Sequence, residues 1–229
     1  MKNLMTFYIF LNFVTITGTY QTFINPNFSL KSHETLDIVK IEARPEATIF
    51  YMVIENKKIE GGSFCADKNI YVIFHDDKKS RLVSATGIPV CPDSYKFKIA
   101  GEKLEFSLTF PPLKKGIEWI DLVEECSDNC FSFYGISLNN DLNRRIDDAF
   151  TLAENDEPLK ALVSFITILE DINKNNSGIE GLLYINIIKL ADETGDEAKA
   201  GEWYKKFKLS EAPRLSQYLK YLNDHGIKY

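Results

Sequence analysis

The chain has 229 residues, 45% hydrophobic and 26% charged, enough for one large domain or two small ones and too polar for a membrane bundle. Its 27 Lys+Arg against 33 Asp+Glu give a net charge of −6. The basic pairs Lys57-Lys58, Lys78-Lys79 and Lys114-Lys115 fall at expected turns rather than in a cluster, so a run of phosphates finds no counterpart and nucleic acid is excluded as a partner.

Met1-Lys2-Asn3 is a short cationic start, and Leu4 to Ile16 is apolar except for Thr6, Asn12 and Thr15. That run is shorter than the about 20 residues a membrane-crossing helix needs, and no other segment approaches that length. Small residues Thr17, Gly18 and Thr19 follow, so residues 1–20 read as a secretory signal peptide, with the mature chain starting near Gln21. A buried N-terminal strand is the alternative. The expectation is a secreted or periplasmic protein without stable membrane insertion.

From about residue 28 to 138, short β-branched and aromatic runs alternate with polar residues between Gly, Pro, Asn, Asp and Lys clusters. Leu36 to Ala43, Ala47 to Glu55, Ile70 to His75, Arg81 to Thr86, Tyr95 to Ile99, Leu104 to Phe110, Ile117 to Val123 and Phe131 to Leu138 are the predicted strands. Gly61-Gly62-Ser63-Phe64-Cys65 reads as a hairpin turn, and Ala100-Gly101-Glu102 as the turn of a hairpin joining the fifth and sixth strands. Even spacing of short strands points to an all-β sandwich or a barrel, and an antiparallel sandwich of immunoglobulin-like type over residues 21–138 is preferred.

Cys65, Cys91, Cys126 and Cys130 are an even set, as expected in an oxidising compartment. Of the three pairings four cysteines allow, Cys65 with Cys91 and Cys126 with Cys130 is favoured. The first two lie beside neighbouring strands, and the last two share one tight connection. Half of a four-thiolate zinc site and a redox pair are the alternatives for Cys126-Ser127-Asp128-Asn129-Cys130, although redox pairs normally have two intervening residues at a helix start.

Near Asn139 the period changes from 2 to 3.6, which marks a domain boundary and an all-α segment over 139–229. Ser137, Asn140 and Asp141 are candidate caps ahead of Leu142, Ile146 and Phe150. Pro158 opens a second helix carrying Leu159, Leu162, Ile166 and Leu169, closed by the linker from Asn173 to Gly178. The third helix carries Leu182, Leu183, Ile187 and Leu190, the fourth Ala200, Tyr204 and Phe207, the fifth Leu215, Tyr218, Leu219 and Leu222. Such helices must lean on something, most simply the sheets.

Two resemblances follow from these residues. Ala161-x-x-x-Phe165 and Ala200-x-x-x-Tyr204 each follow an acidic turn, and Gly178 to Pro213, with Gly195-Asp196, Ala200, Tyr204, Phe207 and Pro213, resembles a tetratricopeptide unit. It lacks the first-helix Trp and Gly of that pattern, Tyr184 and Ile188 standing near those places, and a generic helical hairpin accounts for the same residues. In such modules the first helix of each pair lines a groove, so the resemblance implies Ile185, Lys189 and Asp192 as protein contacts. Ala47 to Tyr51, Gly87 to Pro92, Phe110 to Leu113, Ile120 to Glu124 and Phe133 to Ile136 resemble an uncharacterised group of secreted bacterial proteins with a β-sandwich-like segment. That likeness implies export and a fold, and no catalytic residues.

Catalytic constellations fail on spacing. His33-Glu34 lacks the second histidine of a zinc helix, with only His75 and His225 elsewhere, and reads as an exposed loop. Gly61 to Cys65 lacks the last glycine of a serine elbow. Glu124-Glu125 with Asp128 could hold a calcium ion or resemble the acid pair of glycoside hydrolysis, but neighbours on a strand point to opposite faces, which spoils both, and they read as solvated loop acids. Trp203 lies beside its helical stripe, a candidate for exposure. No cofactor and no metal are expected. The leading expectation is a non-catalytic scaffold that binds another protein; a module binding glycan or surface polymer is the alternative, and a thiol-redox or hydrolytic enzyme the third reading.

Overall fold

The structure is a computed structural model and describes residues 20–172 and 177–229. The expected signal peptide, apart from Tyr20, and most of the linker before Gly178 lie outside the described residues. In chain order the strands are β1 (Gln21–Ile24), β2 (Leu30–Lys31), β3 (Leu36–Ala43), β4 (Thr48–Glu55), β5 (Ser63–Phe64), β6 (Ile70–Ile73), β7 (Lys79–Arg81), β8 (Ser84–Thr86), β9 (Tyr95–Lys96), β10 (Lys103–Phe110), β11 (Trp119–Glu124) and β12 (Ser132–Ser137). The helices are α1 (Asn140–Glu154), α2 (Pro158–Ile172), α3 (Glu180–Glu193), α4 (Glu197–Lys208) and α5 (Leu215–Asp224).

The fold is mixed β and α. One antiparallel sheet has the order β1-β3-β4-β10-β8, a second the order β2-β12-β11-β6-β7, and β5 pairs only with β9. Alternation explains the pairing: every second residue of β4 and of β10 is buried, so their registered pairs Phe50–Leu108 and Met52–Phe106 present one apolar face. Phe50, Leu108 and Phe110 from the first sheet share one core with Val72, Leu122 and Phe133 from the second. Both disulfides form, Cys65–Cys91 spanning 26 positions and Cys126–Cys130 spanning 4. Cys126 and Cys130 are thus joined to each other rather than held apart as a pair of metal-ligating thiolates.

Three expectations about the strands are corrected. Tyr95 to Ile99 does not form a hairpin with Leu104 to Phe110; β10 is flanked by β4 and β8, and a strand has only two hydrogen-bonding edges. Tyr95–Lys96 instead pairs with Ser63–Phe64, so the expected turn at Gly61 to Cys65 is partly strand. Gly62 is required there for space, since a Cβ would press on the Asn56 amide and lie 3.2 Å from Phe97. Arg81 to Thr86 is two strands: Leu82 N–H donates to Ile70 in the second sheet (2.8 Å) and Val83 N–H to Thr109 in the first (2.8 Å), so the chain changes sheet between them.

Consecutive helices pack pairwise from α1 to α4, with α5 against α3 and α4. Asn139, rather than any of the three expected caps, starts α1, its side chain accepting from the Asp141 and Leu142 amides at 3.1 and 3.0 Å. The helices have their own core, from Leu142 and Ile146 through Phe165 and Ile187 to Phe207 and Tyr218.

They lean on the second sheet through a dense joint. The Asp121 carboxylate accepts the Gly135 amide (2.7 Å) and the Arg214 guanidinium, which also lies 4.0 Å over the Tyr134 ring. Burial pushes the Asp121 carboxyl upward despite the opposing pull of the Gly135 amide and Arg214. Ser29 Oγ donates to the Gly178 carbonyl at 2.6 Å, and the Asn27 amide donates to Asn143 at 3.1 Å. Gly135 (φ +61°) and Gly178 (φ +76°) adopt left-handed backbone where the two units touch, and a Cβ on Gly178 would enter the Trp119 ring.

Candidate functional site

A cavity of about 610 Å³ opens among the end of α2, the start of α3, the second half of α4 and the connection to α5. Its walls are Leu169 and Glu170, Glu180 and Tyr184, Trp203 and Lys206, and Leu209 through Pro213. The volume is that of small-molecule and side-chain pockets.

Each wall residue is placed by packing behind it. Tyr184 stacks on Phe207 (ring centroids 4.7 Å, 15° between planes) and leans toward Trp203 at 6.1 Å. Trp203, a candidate for exposure from its place on the helix, is 7% exposed; Lys206 Nζ lies 4.1 Å from the centre of its ring. Lys206 is held there by Glu202 one turn earlier, at 2.7 Å. The Tyr184 hydroxyl has no hydrogen bond among the described residues, and burial pushes its pKa up, with Lys206 and Glu180 pulling in opposite directions.

Glu180 is the unusual group. It is the first residue of α3 and only 5% exposed. Its Oε1 accepts the Ser177 amide (2.5 Å) and the Ser177 hydroxyl (3.1 Å). Its Oε2 is buried without a hydrogen-bond partner among the described residues, the one such side-chain atom there. The unpaired oxygen is an unused hydrogen-bond acceptor on a residue that lines the cavity. Gly181 follows because the Tyr218 ring occupies the space a Cβ would need.

The residues singled out from sequence lie elsewhere. Ile185 is 8% exposed and belongs to the helical core, Lys189 is half-buried, and Asp192 is exposed and accepts the Tyr229 hydroxyl. The groove implied by resemblance and the observed cavity thus share α3 but use different sides of it, Tyr184 being the neighbour of Ile185. Glu170, Glu180, Lys206 and Glu211 were missed. An acidic residue at a helix start reads as a capping charge, and nothing in the sequence says that one of its oxygens is left over.

Other buried carboxylates are fully used. Glu124 is a correction: it is 6% exposed rather than solvated, sharing the inward face of β11 with Ile120 and Leu122 and accepting the Asp67 and Phe131 amides at 2.7 and 3.1 Å. Burial raises its pKa, those two amides opposing. Glu42 binds Lys40 (2.7 Å), Arg44 (2.5 Å) and the Tyr51 hydroxyl (3.1 Å), Lys40 chiefly holding it down to about 2. His33, expected as an exposed loop, is half-buried edge-on to Phe64 at 6.3 Å, and burial lowers its pKa. Among the described residues no group of three or more His, Cys, Asp or Glu could hold a metal ion, and no helix is long and apolar enough to cross a membrane.

No family model matches the chain, and no curated protein or solved structure matches it significantly.

Proposed function

We propose that this is an exported, non-catalytic binding protein. In this reading a disulfide-braced sandwich of immunoglobulin-like type, akin to uncharacterised secreted bacterial proteins, carries a tetratricopeptide-like helical module that engages another protein. The observation that carries it is the cavity on the helices: aromatic walls backed by a rigid core and a buried carboxylate with one oxygen unengaged. Support for a non-catalytic role comes from the wall chemistry. Ser210 donates its hydroxyl to the Phe207 carbonyl at 2.8 Å, and Lys206 is ion-paired, so neither is set up as a nucleophile beside a base. Support for export comes from the two formed disulfides. Glycan binding by the sheets rests on aromatic content alone, since the exposed large aromatics among the described residues are Tyr20 and Tyr229, outside both sheets.

The test is site-specific photo-crosslinking in the native cell envelope. A photoreactive residue at Glu211 or Glu170, on the cavity rim, should give discrete adducts with one protein, whereas one at Leu159 or Val163, exposed on α2, should not. Equal labelling from both positions, or none from the rim, refutes the reading. Mass spectrometry of the exported product with and without reductant should differ by about 4 Da for two bridges.

A further inference from the structure

We propose that the cavity seats a cationic N–H donor, the ammonium or guanidinium end of a lysine or arginine side chain on the partner protein, bound to Oε2 of Glu180. The inference rests on the protein-binding role above and names the chemistry of the contact.

Three observations converge. A buried acceptor without a donor is a standing cost, recovered when a ligand brings the hydrogen bond, and a charged donor recovers most. The cavity's charge also selects a cation. Glu170, Glu180 and Glu211 line it, and neither Glu170 nor Glu211 has an ion pair among the described residues. The wall's single cation, Lys206, is already matched by Glu202 and lies against Trp203. An anionic ligand would therefore meet uncompensated carboxylates, and an apolar one would leave Oε2 unpaired. The walls suit a side chain with a long apolar stem: Leu169, Tyr184, Trp203 and Ala212 can cover methylenes while the charged end reaches the start of α3. The Tyr184 hydroxyl, on the same wall one turn along α3 from Glu180, can accept a second N–H.

The probes are the capped tripeptides acetyl-Ala-Lys-Ala-amide and acetyl-Ala-Arg-Ala-amide, the Nε-acetylated lysine counterpart, and n-butylammonium as a free amine. Titration of the full chain by ¹⁵N NMR reads the Trp203 indole N–H and the Glu180 amide. Both cationic tripeptides should shift these signals and the acetylated one should not. Glu180→Gln, which preserves volume and the bonds to Ser177, should weaken binding at least about tenfold. Should that variant not fold, Tyr184→Phe and the salt dependence of the wild-type affinity replace it; weaker binding of Tyr184→Phe, and affinity falling with ionic strength, support the proposal. No shifts with either cationic peptide, undiminished affinity in Glu180→Gln, or salt-independent affinity overturn it. Tighter binding of n-butylammonium than of the tripeptides overturns the assignment to a partner's side chain. Rim crosslinks that persist while both cationic peptides fail to bind sink this inference and leave the protein-binding role standing; loss of both sinks the two together.

Discussion

Replacing Gly135 by Ala isolates the joint between sheets and helices. The substitution confronts two costs. At φ +61° an L side chain is in left-handed backbone, worth about 1–2 kcal/mol. The new Cβ would also lie 2.7 Å from Ser29 Oγ and well inside contact distance of the Gly178 carbonyl, so the 2.6 Å bond between those groups must break or the units must part. A lost buried hydrogen bond and local overpacking each contribute on the order of 1–2 kcal/mol, bringing the total to about 4 kcal/mol. Gly101 and Gly116 supply the control: each has φ +81° and open space where an added methyl would sit, so Gly101→Ala and Gly116→Ala should cost only the backbone part. In thermal unfolding followed by circular dichroism, Gly135→Ala should lower Tm by about 10 °C and the controls by about 4 °C. Equal losses in all three variants would show that the glycines matter only for their dihedrals and that the joint holds nothing together.

Three further outcomes are expected. By the chain-entropy relation, converting Cys65 and Cys91 to Ser should cost about 3.5 kcal/mol in urea unfolding, against about 2 kcal/mol for Cys126 and Cys130, whose loop is far shorter; the reverse order would refute it. Glu42 has a folded pKa of about 2 against an ordinary 4.5, so its ionised form contributes stability above pH 4.5 that is lost as pH falls toward 2. Glu42→Gln should therefore be less stable than wild type at neutral pH and converge on it in strong acid, and a constant gap at all pH values would contradict the assignment. Asn139→Ala should cost about 1 kcal/mol by unbonding two amides at the start of α1, while Asn140→Ala should leave that cap intact.

How much of this was legible in the sequence divides along physical lines. Periodicity is a property of neighbours, so β3 was found at its bounds, β4 and β10 nearly so, and the five helices were placed by their apolar residues. Pairing is a property of the whole chain. That β10 has both edges occupied, or that the chain leaves one sheet at Leu82, depends on segments dozens of residues away. The disulfide partners were readable because few pairings exist. Glu124 was readable and misread: Ile120, Leu122 and Glu124 alternate together, and the amides of Asp67 and Phe131 make its inward position tolerable. Of the candidate site, only the aromatic character of Trp203 and the involvement of α3 were visible. The unengaged oxygen of Glu180 is a deficit of three-dimensional partners, which no local pattern encodes.

The sheet order carries one more consequence. The first sheet has β1 and β8 at its margins and the second has β2 and β7, so each margin strand is followed or preceded in the chain by the margin strand of the opposite layer. The short segments between them, Asn25 to Ser29 on one side and Leu82-Val83 on the other, lace the two layers along both borders. Each border strand has four residues or fewer, which leaves an incoming strand a template too short to grip and protects the molecule against stacking into fibres.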